Sequence, residues 1–498
     1  MKSAARLLAL AALTALAPAA LAGDNYYTNA SGNFDWLTAA NWSLGHVPNT
    51  TDDVHIPAGM TVFLRGGQGH YAGNINNFGS LIAFDHAQPT VLNCKQIINF
   101  NSGVWNTSGV LISHTNIFNV GYMYFNACSV WDSNYTDANP VYIVNYAGAF
   151  IDLVDSGVVG QVQNQGTLSL WGFNTLGAAL TATPGGGIEN QSGGVVNMNP
   201  NAIVDSGNAN LQVFSNTGGT VNFVGGGNSF VYGNVWFYNA ALCKTINSNA
   251  FIGNCASLDP SGVLFTGQWT AAGGSFILDD GAPVTRIDSG VVVDLAGGSM
   301  NFNGLTSISG ILRASNGSTA HAIPSGGILN VDGSIELENN GAMLVSGALD
   351  TTNANLLFHV EGPSASPSNY GQLVVTNYVL GHATTWLNVY NDNGYIPQPG
   401  ENYKLITAYA GQGYDNLIPY RWNFPNDDKL TWLFDGPSFT LRWACRADIN
   451  GDGFINGDDY DMFASFFESG SLQADINNDG FVNGDDYDMF ASAFEAGC

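Results

Sequence analysis

Val162-Gln163-Asn164-Gln165-Gly166-Thr167-Leu168-Ser169-Leu170 closes one short apolar run on an asparagine, turns through Gln165-Gly166, and opens a second run in which apolar and polar residues alternate. Alternation with a period of two marks a strand with one buried face, and Asn and Gly are the residues that serve tight corners. The theme returns in Ile188-Glu189-Asn190-Gln191-Ser192-Gly193-Gly194-Val195-Val196-Asn197-Met198 and in Phe214-Ser215-Asn216-Thr217-Gly218-Gly219-Thr220-Val221-Asn222-Phe223. Asn164, Asn190 and Asn216 stand 26 residues apart, about the length of one coil of a β-solenoid. The fold expected is mainly β: a right-handed parallel β-solenoid over residues 23–349, its inward Val, Leu, Ile and Phe forming one core and its corner asparagines laddering their amides. An array of multi-sheet sandwiches is the competing architecture. The repeat fades after Asn239, and coil boundaries are not legible beyond it.

From 350 to 443 Tyr, Trp and Pro replace the Gly-Asn rhythm, while Tyr370 to Thr376, Thr385 to Tyr390 and Tyr403 to Thr407 alternate cleanly. A β-rich cap is expected there, since an open last coil exposes strand edges and apolar core. At the other end, Trp36-Leu37-Thr38-Ala39-Ala40-Asn41-Trp42-Ser43-Leu44-Gly45-His46-Val47-Pro48 runs on to Asp52-Asp53-Val54-His55-Ile56. This string resembles the opening segment of bacterial autotransporter-like β-helix proteins, which implies architecture rather than chemistry. Trp36 and Trp42 are expected to cap the first coil, with carbohydrate stacking as the alternative.

The residues from 444 to 498 read differently. Asp448-Ile449-Asn450-Gly451-Asp452-Gly453-Phe454-Ile455-Asn456-Gly457-Asp458-Asp459 returns 27 positions later as Asp475-Ile476-Asn477-Asn478-Asp479-Gly480-Phe481-Val482-Asn483-Gly484-Asp485-Asp486. A hard cation wants several oxygen ligands, and positions 1, 3, 5, 7, 9 and 12 of a calcium loop supply them. The first ligand set is Asp448, Asn450, Asp452, the carbonyl of Phe454, Asn456 and Asp459. The second is Asp475, Asn477, Asp479, the carbonyl of Phe481, Asn483 and Asp486. Gly453 and Gly480 fall at position 6, where the chain turns sharply. Two bound Ca2+ ions are expected. The plain alternative is a pair of Asx-rich turns.

Each loop leads into one short helical pattern, Tyr460, Phe463, Phe466 and Phe467 in the first and Tyr487, Phe490 and Phe494 in the second, read as a small core rather than an exposed docking face. Paired loops of the form D-x-N-x-D-G-x-[IV]-N-x-x-D, each followed by a helix, resemble the type I dockerin family. That resemblance implies an adhesive module with two EF-hand-type loops that docks onto a cohesin-like protein or another extracellular receptor, in assemblies that act on polysaccharide. The sequence departs from the family at loop positions 10 and 11, which are Gly457-Asp458 and Gly484-Asp485, and in helices without Lys or Arg.

Residues 1–22 have the form of a secretory signal: Lys2 and Arg6, an apolar run from Leu7 to Leu16, and Ala20-Leu21-Ala22 at the cleavage site. A secreted, extracellular or cell-surface protein is expected, and no later run has the length of a membrane span. Six cysteines in an exported chain favour pairing, with Cys94 and Cys128, Cys243 and Cys255, and Cys445 and Cys498 as the candidate pairs. The last pair would clasp the calcium module and stabilise it by about 4 kcal/mol on the loop-entropy account. A net charge of −27, built on only 12 Lys and Arg, would repel phosphate backbones and excludes nucleic acid as a partner. With 45% hydrophobic residues the chain is nonetheless rich enough for a core.

No catalytic constellation is recognised. The few Lys and Arg are scattered, and the doublets Asp52-Asp53 and Asp279-Asp280 read as turn or strand-end residues. The eight histidines show no ligand spacing and are placed at surface or corner positions, and no nucleophile motif occurs. The leading function is a secreted structural or adhesive protein that docks through the calcium module. A polysaccharide-degrading β-helix subunit, hydrolase or lyase, is the alternative. A carbohydrate-binding spacer using Trp171, Trp236 and Trp269 is a third. Carboxylates laddered along a strand face would favour the enzyme, and a row of exposed Trp and Tyr would favour binding.

Overall fold

The computed structural model describes residues 23–496, apart from 84–89, 114–115, 132–141, 178–186, 206–211, 233, 238–240, 254, 399–400, 413–416, 425–429, 435–436, 444–445, 451–453 and 478–480. At a few further positions, Trp236 among them, only the backbone is described. The predicted leader and the Cys445 and Cys498 pair lie outside the described residues. The chain divides into two compact units, Met1–Leu242 with Phe251–Asn254 and Cys243–Ala250 with Cys255–Cys498.

In the first unit each coil contributes three short strands, and each strand pairs in parallel with its counterpart in the next coil. One coil runs Gln161–Asn164, Thr167–Trp171, Phe173–Gly177. The next runs Gly187–Asn190, Val195–Met198, Ile203–Asp205. Mainly β, with parallel strands in stacked sheets, the unit is consistent with a β-solenoid. The period-two pattern is the cause: Val162, Leu168, Leu170, Ile188, Val196 and Met198 point inward and are buried, while their polar neighbours face out.

The asparagine ladder is longer than the sequence repeat. Asn77, Asn99, Asn119, Asn145, Asn164, Asn190 and Asn216 stand in register and are fully buried. Each Nδ2 donates to the Oδ1 of the next, at 2.7, 2.9, 2.9, 2.8, 2.8 and 3.1 Å. Each also donates to a main-chain carbonyl of the adjoining coil, as Asn145 does to Thr167 at 3.0 Å. Burying an amide is costly unless its donors and acceptors are met, and the ladder meets them from rung to rung, leaving the Oδ1 of Asn77 at its first rung without a partner. The corner glycine is obligatory for space: a Cβ on Gly166 would stand 2.3 Å from the Ala149 carbonyl oxygen.

Tyr27, Trp36 and Trp42 are buried at the start of this unit, the indoles meeting edge to face at 4.9 Å and Trp42 Nε1 donating to the Trp36 carbonyl at 2.7 Å. Neither indole is open to a sugar.

In the second unit a parallel series runs Gln268–Ala272, Val292–Ala296, Ile311–Ser315, Ser334–Leu337, Asn355–Val360, Trp386–Asn391, Ile418–Trp422. The long strand Gln372–Leu380 pairs with Ala342–Val345 through its first half and with Ala348–Asp350 through its second, and on its other side with Asn402–Gln412 across a register shift between Val375 and Tyr378. Antiparallel pairing enters where Asn402–Gln412 and Leu430–Phe434 flank Ser438–Trp443. Two helices follow, α1 (Gly457–Ser469) and α2 (Gly484–Ala496). No helix among the described residues is long and apolar enough to cross a membrane.

Two expectations are corrected. Cys94 and Cys128 are not joined by a disulfide, and neither are Cys243 and Cys255. Cys94 follows Thr90–Asn93 and Cys128 precedes Ser129–Trp131, strands two rungs apart with Val110–Ser113 between them. That separation is about 10 Å, beyond the reach of a disulfide. Burial pushes the Cys243 and Cys255 thiols up, the latter to about 12, so both are inert interior thiols. His70, expected at a surface or corner, is fully buried. Its Nε2 accepts the Arg65 amide at 3.1 Å, and burial lowers its pKa to about 4 against an opposing pull from Asp35.

Candidate calcium loops and an aromatic face

Both loops are closed by the carboxylate at position 12. Asp459 Oδ1 accepts the Asn450 amide at 3.1 Å and its Oδ2 the Asn456 amide at 3.0 Å. Asp486 Oδ1 accepts the Ile476 and Asn477 amides at 2.8 and 3.1 Å, and its Oδ2 the Asn483 amide at 2.9 Å. Both side chains are fully buried. At Asp486 burial pushes the pKa up, but the three amides outweigh it and leave the carboxyl below its usual value. The shorter Asp thus reaches the loop interior from the first turn of the helix.

Asn456 and Asn483 have a second role: the Oδ1 of each accepts the amide two residues on, from Asp458 and Asp485, at 2.7 Å in both cases. At α1 this completes a reciprocal cap with Asp459. The loop and the helix start are therefore one structure.

The helices share a small core. Phe463 and Phe490 stack at 4.0 Å and 5°, and Ile455 and Val482, at position 8 of each loop, pack against them. The aromatic stripe is thus largely core, although Tyr460 and Tyr487 stay partly exposed. Asp448, Asn450, Phe454, Asp475, Asn477 and Phe481 fall in the described parts of the loops, whereas Asp452 and Asp479 lie outside the described residues. A buried carboxylate calls for a cation. Among the described residues neither Asp459 nor Asp486 forms an ion pair with a cationic side chain. Asp and Asn oxygens are the donors a hard cation takes; among the described residues, which leave out Asp452 and Asp479, no three carboxylates gather at one point.

The second unit holds another candidate. On the outward face of the series ending at Ile418–Trp422, Asp294, Arg313 and Glu336 are in register, followed by Leu357, Asn388 and Tyr420. Arg313 Nε donates to Glu336 at 2.7 Å, with Glu338 at 3.4 Å and Asp294 at 4.0 Å. The three acids serve one guanidinium. Beside them His359, Tyr390 and Trp422 stack along one row, at 5.4 and 6.0 Å, and Trp386 stacks on Tyr420 at 5.3 Å.

Of the aromatics proposed from the sequence, Trp171 is exposed, Trp269 is fully buried and drops out, and the Trp236 side chain lies outside the described residues. Trp269 falls on the inward beat of Gln268–Ala272. Trp386, Tyr390, Tyr420 and Trp422 were missed. The alternation Trp386-Leu387-Asn388-Val389-Tyr390 signals an outward aromatic face, but the strand that pairs with it is not legible from spacing. Asp53 heads a strand and Asp279 a short 3-10 turn, as expected.

Compared with known protein families and with curated proteins, the chain matches none.

Proposed function

We propose that this is a secreted structural or adhesive protein in which residues 444–498 form a dockerin-like docking module ordered by two Ca2+ ions, carried by a β-solenoid stalk. The observation that carries this reading is the matched pair of buried carboxylates, Asp459 and Asp486, each gathering the amides of its own loop and each starting a helix of one shared core. The residues 448–459 and 475–486 hold the ions, and the ions neutralise a tail with twelve acidic side chains against Arg446 alone. The partner is a cohesin-like protein of a cell-surface or extracellular assembly. The polysaccharide-degrading alternative gains little from Asp294, Glu336 and Glu338, because all three are counter-ions to Arg313 rather than an acid and a base held apart across a bond.

The test is a binding assay of the full chain against a panel of purified type I cohesin domains, in calcium and in EDTA. Retention in calcium and release by EDTA supports docking. No retention, or retention indifferent to calcium, contradicts it.

A further inference from the structure

Aromatic side chains on a soluble surface are ordinarily isolated, and a contiguous exposed set marks a binding surface. Trp386, Tyr420 and Trp422 are 48, 40 and 45% exposed, and they sit together on the last strands of one parallel series. Tyr420 and Trp422 lie two residues apart on Ile418–Trp422, their rings 6.4 Å apart and within 26° of parallel. One face of each ring is backed, Tyr420 by Trp386 and Trp422 by Tyr390. No further strand of that series pairs beyond Ile418–Trp422 among the described residues, so the opposite ring faces carry no next rung. Asn388 holds the platform: its Oδ1 accepts Trp422 Nε1 at 2.9 Å and its Nδ2 donates to Asn355 at 2.8 Å.

The surrounding groups say what kind of ligand fits. Asp392 is bonded to His359, which also faces Glu338 at 3.7 Å, and Arg313 is occupied by its carboxylates. Arg421, between Tyr420 and Trp422 on the strand, is turned to the Leu430 carbonyl and lies over the Trp432 ring. Among the described residues the rim is therefore rich in acceptors and its cations are committed, which suits a ligand that brings many donors and no negative charge. A uronate or phosphate polymer would be repelled, and so would a second copy of a chain with net charge −27. A neutral pyranose offers an apolar C–H face to an aromatic ring and hydroxyl donors at its edge.

We propose that this face binds a neutral polysaccharide, with Tyr420 and Trp422 stacking on neighbouring sugar rings and Asn388 positioning the indole. The site is separate from the calcium loops, so it stands or falls apart from the docking proposal.

The experiment is isothermal titration of the full chain with cellohexaose, xylohexaose, mannohexaose and laminarihexaose, with a galacturonate hexamer for comparison, in calcium and in EDTA. At least one neutral hexaose is expected to bind equally in both buffers and better than the acidic oligomer. Tyr420→Ala/Trp422→Ala should weaken binding at least tenfold, while Trp171→Ala leaves it unchanged. A second readout needs no variant: bound hexaose should protect Trp386 and Trp422, and not Trp171, from oxidation by N-bromosuccinimide. No binding by any of the four, preference for the galacturonate, unchanged affinity in the double variant, or no protection of Trp386 and Trp422 would each overturn the proposal. Self-association of the wild-type chain that the double variant abolishes would do the same.

Discussion

Asp486 illustrates how one side chain joins a loop to a helix. Its three amide bonds are already made, and it closes a loop whose sequence is rich in Asp and Asn. Asp486→Asn keeps the shape, removes the charge and turns one acceptor into a donor. The second site should then bind calcium at least about tenfold more weakly, equivalent to about 1.4 kcal/mol, as read by titration calorimetry. His70 makes a different prediction. Its folded pKa of about 4 lies below the ordinary value of 6.5, so the unfolded chain binds the extra proton between those values. The stability it represents is complete above pH 6.5 and is lost as pH falls towards 4, about 3 kcal/mol in all. Acid should therefore loosen the N-terminal indole cluster in that window, seen as a change in Trp fluorescence, and His70→Gln should flatten the profile. The twin loops and the helix each one starts were legible because their residue pattern is local and written twice in the sequence. His70 was not, because its burial depends on Trp36 and Asp35, brought beside it by the fold.

The coil is the element in which sequence and structure diverge most usefully. Three of the ladder asparagines are evenly spaced, which made the repeat visible, yet the rungs are 22, 20, 26, 19, 26 and 26 residues apart. The 26-residue coils contain the segments 132–141, 178–186 and 206–211 between the third strand and the next first strand. Added residues between those strands leave the strand register intact but break the sequence period, so Asn77, Asn99 and Asn119 look unrelated in a linear reading. Asn145→Ala would strip the Asn119 amide of its ladder acceptor and the Asn164 carbonyl of its donor, both buried. Stability of the first unit should fall by about 2–3 kcal/mol, read from urea unfolding.

At the scale of the whole molecule two kinds of cohesion coexist. The β units rest on buried apolar rows and amide ladders, interactions indifferent to divalent ions. The helix pair has a far smaller core, Ala447, Phe463, Ala474 and Phe490 with partly buried apolar side chains around them, in a segment with twelve acidic residues, and its loops fold at the expense of charge repulsion unless a cation is bound. Removing calcium should therefore be selective. Hydrogen exchange of the full chain, followed by mass spectrometry in calcium and in EDTA, reads this directly. Protection across 457–469 and 484–496 should collapse in EDTA while that of 96–99, 161–164 and 187–190 is unchanged. Equal protection of both helices with and without the ion would contradict the account.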